Sequence, residues 1–476
     1  MRPHPSRLLC LAGSLLLILS GCAAPSSREN VDATAKLVAS QTSSGFSWRK
    51  DEAADAAART SVEALLSGGL TLDEAVAVSF LISPDLQLAL EKVEVARSDL
   101  VAAGTPPNPL LIVGMRDTGG NFSAYYPSDN LSVGILENVI GLLNMPDRIA
   151  VAGRELERAR LESAQRITTH GVLVVQAWLE YSAALRAQEL RNRSAAAARA
   201  ALDAVVVRAA NGNGFSALDV AMERNAVFGV EGSALRAEVD TTTARAHLAE
   251  LLGLSGWRDD WQLAGNLPPL PASDPDPAAI ENQALERRFD VRAATWAIDA
   301  RLRALATQRR FRWINEFELG LFRDSVVGGT SFIGPNAVIE LPLFDQRQAQ
   351  LLAGDAELRS ALRTLEAVKL AARSELRTHA AEMRVTRALL EQYDKVVLPN
   401  QRQIVAALGS NVDPGEPDRL RLRLSTLSAE EEQSGLLRDY WRARSAFAAA
   451  AGDWEALAGL KVNGQAGASA GSTAPK

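Results

Sequence analysis

Cysteine is nearly absent: Cys10 and Cys22 are the only two in 476 residues. No framework of internal disulfides and no thiolate metal centre is available to such a chain. Aromatic residues make up 5%, which suits closely packed helices lined with small side chains better than a bulky globular core. Proline is missing from the whole stretch between Pro146 and Pro268, where alanine, leucine, arginine and glutamate dominate. That absence predicts two very long helices. After residue 22 no segment is long and apolar enough to cross a bilayer as a helix, so any crossing has to be made by strands. There is no Walker loop, no Rossmann glycine pattern after a strand and no H-E-x-x-H, so no enzyme is expected. His170, His247 and His379 stand isolated, and Met115, Met145, Met222 and Met383 are scattered, so no metal site is expected either. A net charge of −6 argues against a nucleic-acid partner.

What is present begins with Arg2 and Arg7, an apolar run over residues 8–19, and Leu19-Ser20-Gly21-Cys22. A charged start, a short apolar run and small residues before a cut describe a secretory signal, too short to span a membrane. Leu-Ser-Gly-Cys resembles the lipobox of bacterial lipoproteins, which implies cleavage before Cys22 and a diacylglycerol on its sulfur. No other cofactor is expected. Ala23 rather than aspartate follows, and by the same analogy this points to the outer membrane. Without Arg2 and Arg7 the balance becomes 49 basic against 57 acidic side chains, a net charge of −8.

The longest helical stretch, residues 147–252, is broken only at Asn211-Gly212-Asn213-Gly214-Phe215. Two glycines can take positive φ there to end one helix, and Ser216 with Asp219 forms a capping box that starts the next. The expected product is an antiparallel hairpin whose arms, at about 1.5 Å per residue, run for tens of ångströms. Along the second arm Leu218, Ala221, Phe228, Leu235, Val239, Ala246 and Ala249 keep a 3-4 spacing, with Asn225, Gly232 and Thr242 filling the seam. Spacing sustained near 3.5 predicts a supercoiled partner.

Residues 1–21 are the signal, and 22–69 form a lipid-anchored tether, extended apart from a short helix over 53–66. Thr71 and Glu74 open a helix that runs to residue 103, with Pro84 as a kink or break. Strands are expected over 110–116 and 130–137, and Pro146 is expected in the first turn of the long hairpin. Residues 70–252 thus form one structural repeat. A linker over 253–277 holds Pro268, Pro269, Pro271, Pro275 and Pro277. Residues 278–458 repeat the order: a helix to 312, strands over 316–323 and 332–343, a long helix over 345–408, a turn, and a helix over 418–452. Asp85 corresponds to Asp290 and Asn130 to Asn336. The tail, 459–476, is expected to be disordered.

In the second strand pair Phe317, Leu319 and Leu321 alternate with Glu316, Glu318 and Gly320, and Ala337, Ile339 and Leu341 with Asn336, Val338 and Glu340. Such alternation fits a transmembrane strand with its apolar side to lipid, and equally a soluble hairpin on a helical core. Four strands cannot close a barrel. Open edges are not tolerated in lipid, so a crossing would require several chains to pool their strands.

Four stretches resemble the TolC-like outer-membrane efflux proteins. They are Leu70-Thr71-Leu72-Asp73-Glu74-Ala75-Val76 with Ser83-Pro84-Asp85-Leu86; Pro107-Asn108-Pro109; Gly214-Phe215-Ser216-Ala217-Leu218-Asp219-Val220; and Ile339-Glu340-Leu341-Pro342-Leu343-Phe344-Asp345. The resemblance implies a mainly α fold with a small β part, internally duplicated. Long helical hairpins would form a periplasmic α-barrel, and a transmembrane β-barrel would be shared by three chains. It implies a homotrimer, lipid-anchored in the outer membrane of a Gram-negative bacterium and extending into the periplasm.

The resemblance also assigns partners and sites. A periplasmic adaptor protein and an inner-membrane pump would deliver small molecules to a passive exit duct. Gly212, Gly214, Ser216, Leu218 and Asp219 would form the adaptor-contacting tip. Asp413, Glu416 and Asp418 are the candidate periplasmic gate: either a ring of carboxylates tripled by symmetry or simple helix-start charges, in which case Asp219 is the next candidate. Pro414 and Pro417 depart from the family pattern at that second tip. Arg154, Arg158, Arg160 and Arg166 suit a solvated face or a tunnel wall. Glu-Leu-Pro-Leu-Phe-Asp leaves a heavy-metal cation efflux duct open, and a structural periplasmic lipoprotein without a pore is the alternative of another class.

Overall fold

The computed structural model describes residues 25–42, 46–117, 129–212, 214–314, 316–326, 330–407 and 417–454. Cys22, Asp413, Glu416 and the tail lie outside them. Helices α1 (Ser27–Ala39), α2 (Glu52–Leu66), α3 (Leu72–Ile82) and α4 (Pro84–Gly104) precede strands β1 (Leu110–Asp117) and β2 (Asp129–Asn138). The arms of the long hairpin are α5 (Val139–Ala210) and α6 (Ala217–Leu252). A second set follows: α7 (Pro277–Arg287), α8 (Phe289–Arg310), β3 (Phe317–Val326), β4 (Ser331–Ile339), α9 (Gln348–Gln392), α10 (Leu398–Ala407) and α11 (Pro417–Ala451). The 72 residues of α5 correspond to about 108 Å of helix at 1.5 Å per residue.

Local chemistry sets most of these ends. Thr71 and Glu74 form a reciprocal capping box at the start of α3, and Pro84 separates α3 from α4 because its ring cannot follow an α-helical Ser83. Asp85 and Asp290 fall in the first turns of α4 and α8, as the proposed correspondence requires. Asn130 and Asn336 do not correspond in depth: one is second in β2, the other sixth in β4.

Several elements differ from expectation. The long hairpin begins at Val139 rather than Asp147, because Asn138, the last residue of β2, caps it: its Oδ1 accepts from the Gly141 N–H at 2.6 Å. Pro146 therefore lies inside α5, where it removes the bond that the carbonyl of Leu142 would otherwise accept. The expected helix to 312 divides at Arg288, whose backbone is extended (φ −60°, ψ 129°). Its buried guanidinium reaches Glu375 at 2.8 Å and the Ala450 carbonyl at 3.3 Å. The expected helix over 345–408 is interrupted by a π turn at Tyr393–Val397, in which Leu398 N–H donates to the Tyr393 carbonyl. Pro399 follows at once, and the widened turn accommodates the ring that a regular helix would press against the carbonyl four residues back. The strand expected over 332–343 ends at Ile339, ahead of Pro342.

The chain forms two compact units. One comprises residues 1–34, 91–163 and 290–368. It holds the single four-stranded antiparallel sheet of the described residues, in the order β1-β2-β3-β4. Within this unit the part of the "tether" over 27–34 is helical. Asn30 is fully buried, donating to Glu94 Oε1 at 3.0 Å and accepting from Arg160 Nε at 2.6 Å. The arginines on this part of α5 are ion-paired: Arg154 with Asp299 at 2.8 Å, and Arg158 with Glu155 and Glu162 at 2.6 and 3.2 Å. They serve as ties between and along helices while staying partly exposed.

The other unit comprises residues 35–90, 164–289 and 369–476. Its core has two fully buried tryptophans that donate to backbone carbonyls, Trp178 to Leu70 at 3.1 Å and Trp441 to Pro268 at 2.9 Å. The proline-rich linker is thereby fastened along its length. Leu70 and Ala264 close a short parallel bridge around residue 263, and Asp274 receives Arg387 at 2.6 Å and Tyr440 OH at 2.6 Å. Arg166 pairs with Asp85. His170 lies beside them with its Nε2 2.8 Å from Ser79 Oγ and 3.0 Å from the Leu251 carbonyl. Burial holds this imidazole below its usual range, and the carbonyl of Leu251 and the charge of Asp85 oppose that shift. It is a neutral core residue.

Candidate functional site

The strand register fixes which side chains share a face. Val113 is opposite Val133, Val133 opposite Arg323, and Arg323 opposite Ile333. Because side chains alternate, Leu111, Val113, Val133, Ile135, Leu321 and Ile333 stand on one side. That side is open: Leu321 and Ile333 are 64% and 71% exposed. Ser132, Glu318, Asp324 and Asn336 stand on the other, where Ser132 Oγ donates to Asp324 Oδ1 at 3.0 Å. Phe332 and Val338 share that second face, which is therefore mixed, but an apolar face left as open as the first is the reverse of a soluble hairpin that buries its apolar side on a helical core. Gly320 allows the closest approach within the sheet, since a Cβ there would sit 1.8 Å from the Ile135 carbonyl oxygen.

The first hairpin tip is built as its residues suggested. Gly212 and Gly214 have φ of +72° and +80°, and a Cβ on either would meet nothing within 4 Å. These glycines are needed for the turn and leave its surface bare. Ser216 caps α6: its Oγ accepts from Asp219 N–H at 3.3 Å, and Asp219 Oδ2 accepts from Ser216 N–H at 2.6 Å. Those backbone and side-chain bonds hold the Asp219 carboxyl below its usual range. Leu218 is exposed beside it. Of the candidate gate, Asp418 lies in the first turn of α11, whereas Asp413 and Glu416 are outside the described residues.

A pair that sequence reasoning passed over ties the two hairpins near this tip. Glu223, one turn beyond Asp219 on α6, is buried and accepts from Arg421 of α11 at 2.8 Å. The four-residue spacing of Asp219 and Glu223 was the available signal, because it puts both carboxylates on one side of the helix, and the charge of Arg421 acts on Asp219 too.

The heptad stripe of α6 has its outcome here as well. Leu218, Phe228, Leu235 and Val239 are 68, 63, 66 and 64% exposed, so this part of the seam finds no partner among the described residues, whereas Ala249 at its end is buried. The face that packs internally is a different one, with Val227, Ala237, Thr241, Ala244 and Leu248 buried.

No family sequence profile matches the chain, and no curated protein matches it in sequence. Solved structures do match it. The outer-membrane channel OprN superposes with a TM-score of 0.65 at 18% identity, over 81% of this chain and 90% of that one. The open state of the Neisseria gonorrhoeae MtrE outer membrane channel gives 0.64 at 16% identity, over 80% and 89%. The Campylobacter jejuni CmeC outer membrane channel gives 0.63 at 12% identity, over 80% and 85%. The long helical hairpins, the small sheet made of the strand pair that precedes each of them and the capped tip together give this chain the fold of the TolC-like outer-membrane efflux channels.

Proposed function

We propose that the protein is one third of a trimeric duct through the outer membrane, the passive exit channel of a tripartite efflux system. One observation carries this reading: a four-stranded antiparallel sheet with an exposed apolar face and with both outer strands, β1 and β4, unpaired along their free edges among the described residues. Such edges are incompatible with lipid unless another chain covers them, and three copies supply twelve strands for one closed barrel. The unpartnered stripe of α6 supports the same assembly, since it offers a coiled-coil seam to a neighbouring chain.

The residues divide the work accordingly. The sheet crosses the membrane, and the helices enclose an aqueous path. The bare turn at Gly212 and Gly214, with Ser216, Leu218 and Asp219, meets a periplasmic adaptor, which links the duct to an inner-membrane pump. A lipid on Cys22 anchors the start of the chain. The duct performs no chemistry of its own, and its cargo is chosen by the pump.

Introduced cysteines test the assembly cleanly, since no cysteine occurs after Cys22. Within one chain β1 and β4 are separated by two strands, about 14 Å at the usual strand spacing, too far for a disulfide. Pairing Cys at position 111 or 113 with Cys at 333, 335 or 337 should give oxidised dimers and trimers for at least one combination. Monomers from every pair would contradict the shared barrel.

A further inference from the structure

Arg323 is out of keeping with the face it occupies. It stands in β3 on the side of Leu319 and Leu321, with Val133 opposite on β2 and Ile333 opposite on β4. Its side chain is exposed, and no carboxylate pairs with it among the described residues. The adjacent Asp324 points to the other side, where it is taken by Ser132. One step further along the strands Ser325 and Ser331 are paired on the side of Arg323. The hydroxyl of Ser325 is engaged with the Leu131 carbonyl at 3.0 Å, while Ser331 is exposed. Of the acids placed on this face by the register, Glu137 stands near the other end of the strands, opposite Leu319, while Asp117 and Asp129 are paired with each other on β1 and β2, one step beyond Leu131.

An unpaired guanidinium is costly at the centre of a bilayer and nearly free of cost at its edge, where the long side chain can reach the headgroups. Arg323 and Ser331 therefore mark where the apolar face gives way to headgroups. The strands on this side are joined by the chain around residues 118–128 and 327–329, while the helices continue from the opposite ends. With the helices in the periplasm, Arg323 belongs to the outer leaflet. A guanidinium with a neighbouring hydroxyl matches a phosphate monoester, to which arginine donates two parallel hydrogen bonds. We propose that Arg323 and Ser331 form a subsite for the phosphate of a phosphorylated outer-leaflet glycolipid, one per protomer and repeated around the barrel. The inference rests on the sheet being an outer-membrane barrel.

The test uses the full-length trimer in phosphatidylcholine nanodiscs doped with bisphosphorylated lipid A, dephosphorylated lipid A or phosphatidylglycerol. Lipid retained on the protein is counted by native mass spectrometry for wild type, Arg323→Gln and Arg323→Lys. Wild type should keep bisphosphorylated lipid A about tenfold better than the dephosphorylated form, the loss expected when one charge-assisted pair is removed. Arg323→Gln should lose that preference and Arg323→Lys keep part of it. Equal retention of both lipid A forms by wild type would overturn the subsite even if Arg323→Gln failed to assemble. Equal retention by wild type and Arg323→Gln would do the same, as would retention of phosphatidylglycerol matching that of lipid A. A trimer that inserts but shows no such preference sinks the subsite alone, whereas a protein that never inserts as a trimer sinks the barrel with it.

Discussion

Glu223 is the buried member of an ion pair whose other half, Arg421, is half exposed, so the bond from α6 to α11 is worth roughly 1 kcal/mol after screening. It joins the first hairpin to the start of α11 one turn from Asp219, beside the tip that the proposed duct turns toward the adaptor. Glu223→Gln or Arg421→Ala should lengthen open times about fivefold in single-channel recordings, the factor that energy corresponds to. Unchanged gating in both would reduce the pair to a packing contact. A second residue-scale test concerns Asp274. Burial pushes its carboxyl up, but hydrogen bonds from Arg387 and Tyr440 and the charges of Arg387 and Arg444 outweigh burial and hold it below the usual range. A depressed folded-state value contributes stability above the unfolded carboxylate pKa, and that contribution is lost as pH falls through the folded value. Asp274→Asn should therefore cost roughly 1–3 kcal/mol at neutral pH and less in acid. Denaturant titrations followed by the fluorescence of nearby Trp441 would check this, and an equal loss at both pH values would refute it.

At the scale of elements, the two faces of β3 and β4 make opposite demands. Leu319→Arg places charge on the apolar face and should sharply reduce the protein assembled in the outer membrane. Asn336→Arg, at a polar position of the opposite face, should leave assembly close to wild type. Gly320 cannot serve as the control, because any side chain there strikes the Ile135 carbonyl. Equal tolerance of Leu319→Arg and Asn336→Arg would mean that this face does not meet lipid. Elements whose boundaries depend on neighbouring residues were legible in the sequence: Thr71 with Glu74, Pro84, the Gly212 to Ser216 turn and the strand alternation. Boundaries set by distant contacts were not. α5 starts early because its cap, Asn138, belongs to a strand, and the break at Arg288 depends on Glu375, remote in the chain. α1 was hidden because Asn30 is satisfied only by Glu94 and Arg160. The π turn had a local cause in Pro399, whose weight against a strongly helical stretch sequence pattern alone does not decide.

For the whole molecule, the heptad stripe of α6 and the open edges of the sheet are the surfaces that other copies cover in the proposed trimer. The sequence displayed that stripe, yet periodicity alone does not say whether a partner lies in the same chain. The buried face of α6 answers the question for the stripe from Leu218 to Val239, because none of those stripe residues belongs to it. The Glu223–Arg421 pair was not legible, since the two residues come together through folding and no motif joins them. The central claim, a trimeric duct, is tested most directly by purifying the full-length protein from outer membranes and recording it in planar lipid bilayers, with unheated and heated samples compared by electrophoresis. The account predicts discrete conductance steps from a species of three chains that heating separates into one. A stable single chain that produces no conductance would contradict it.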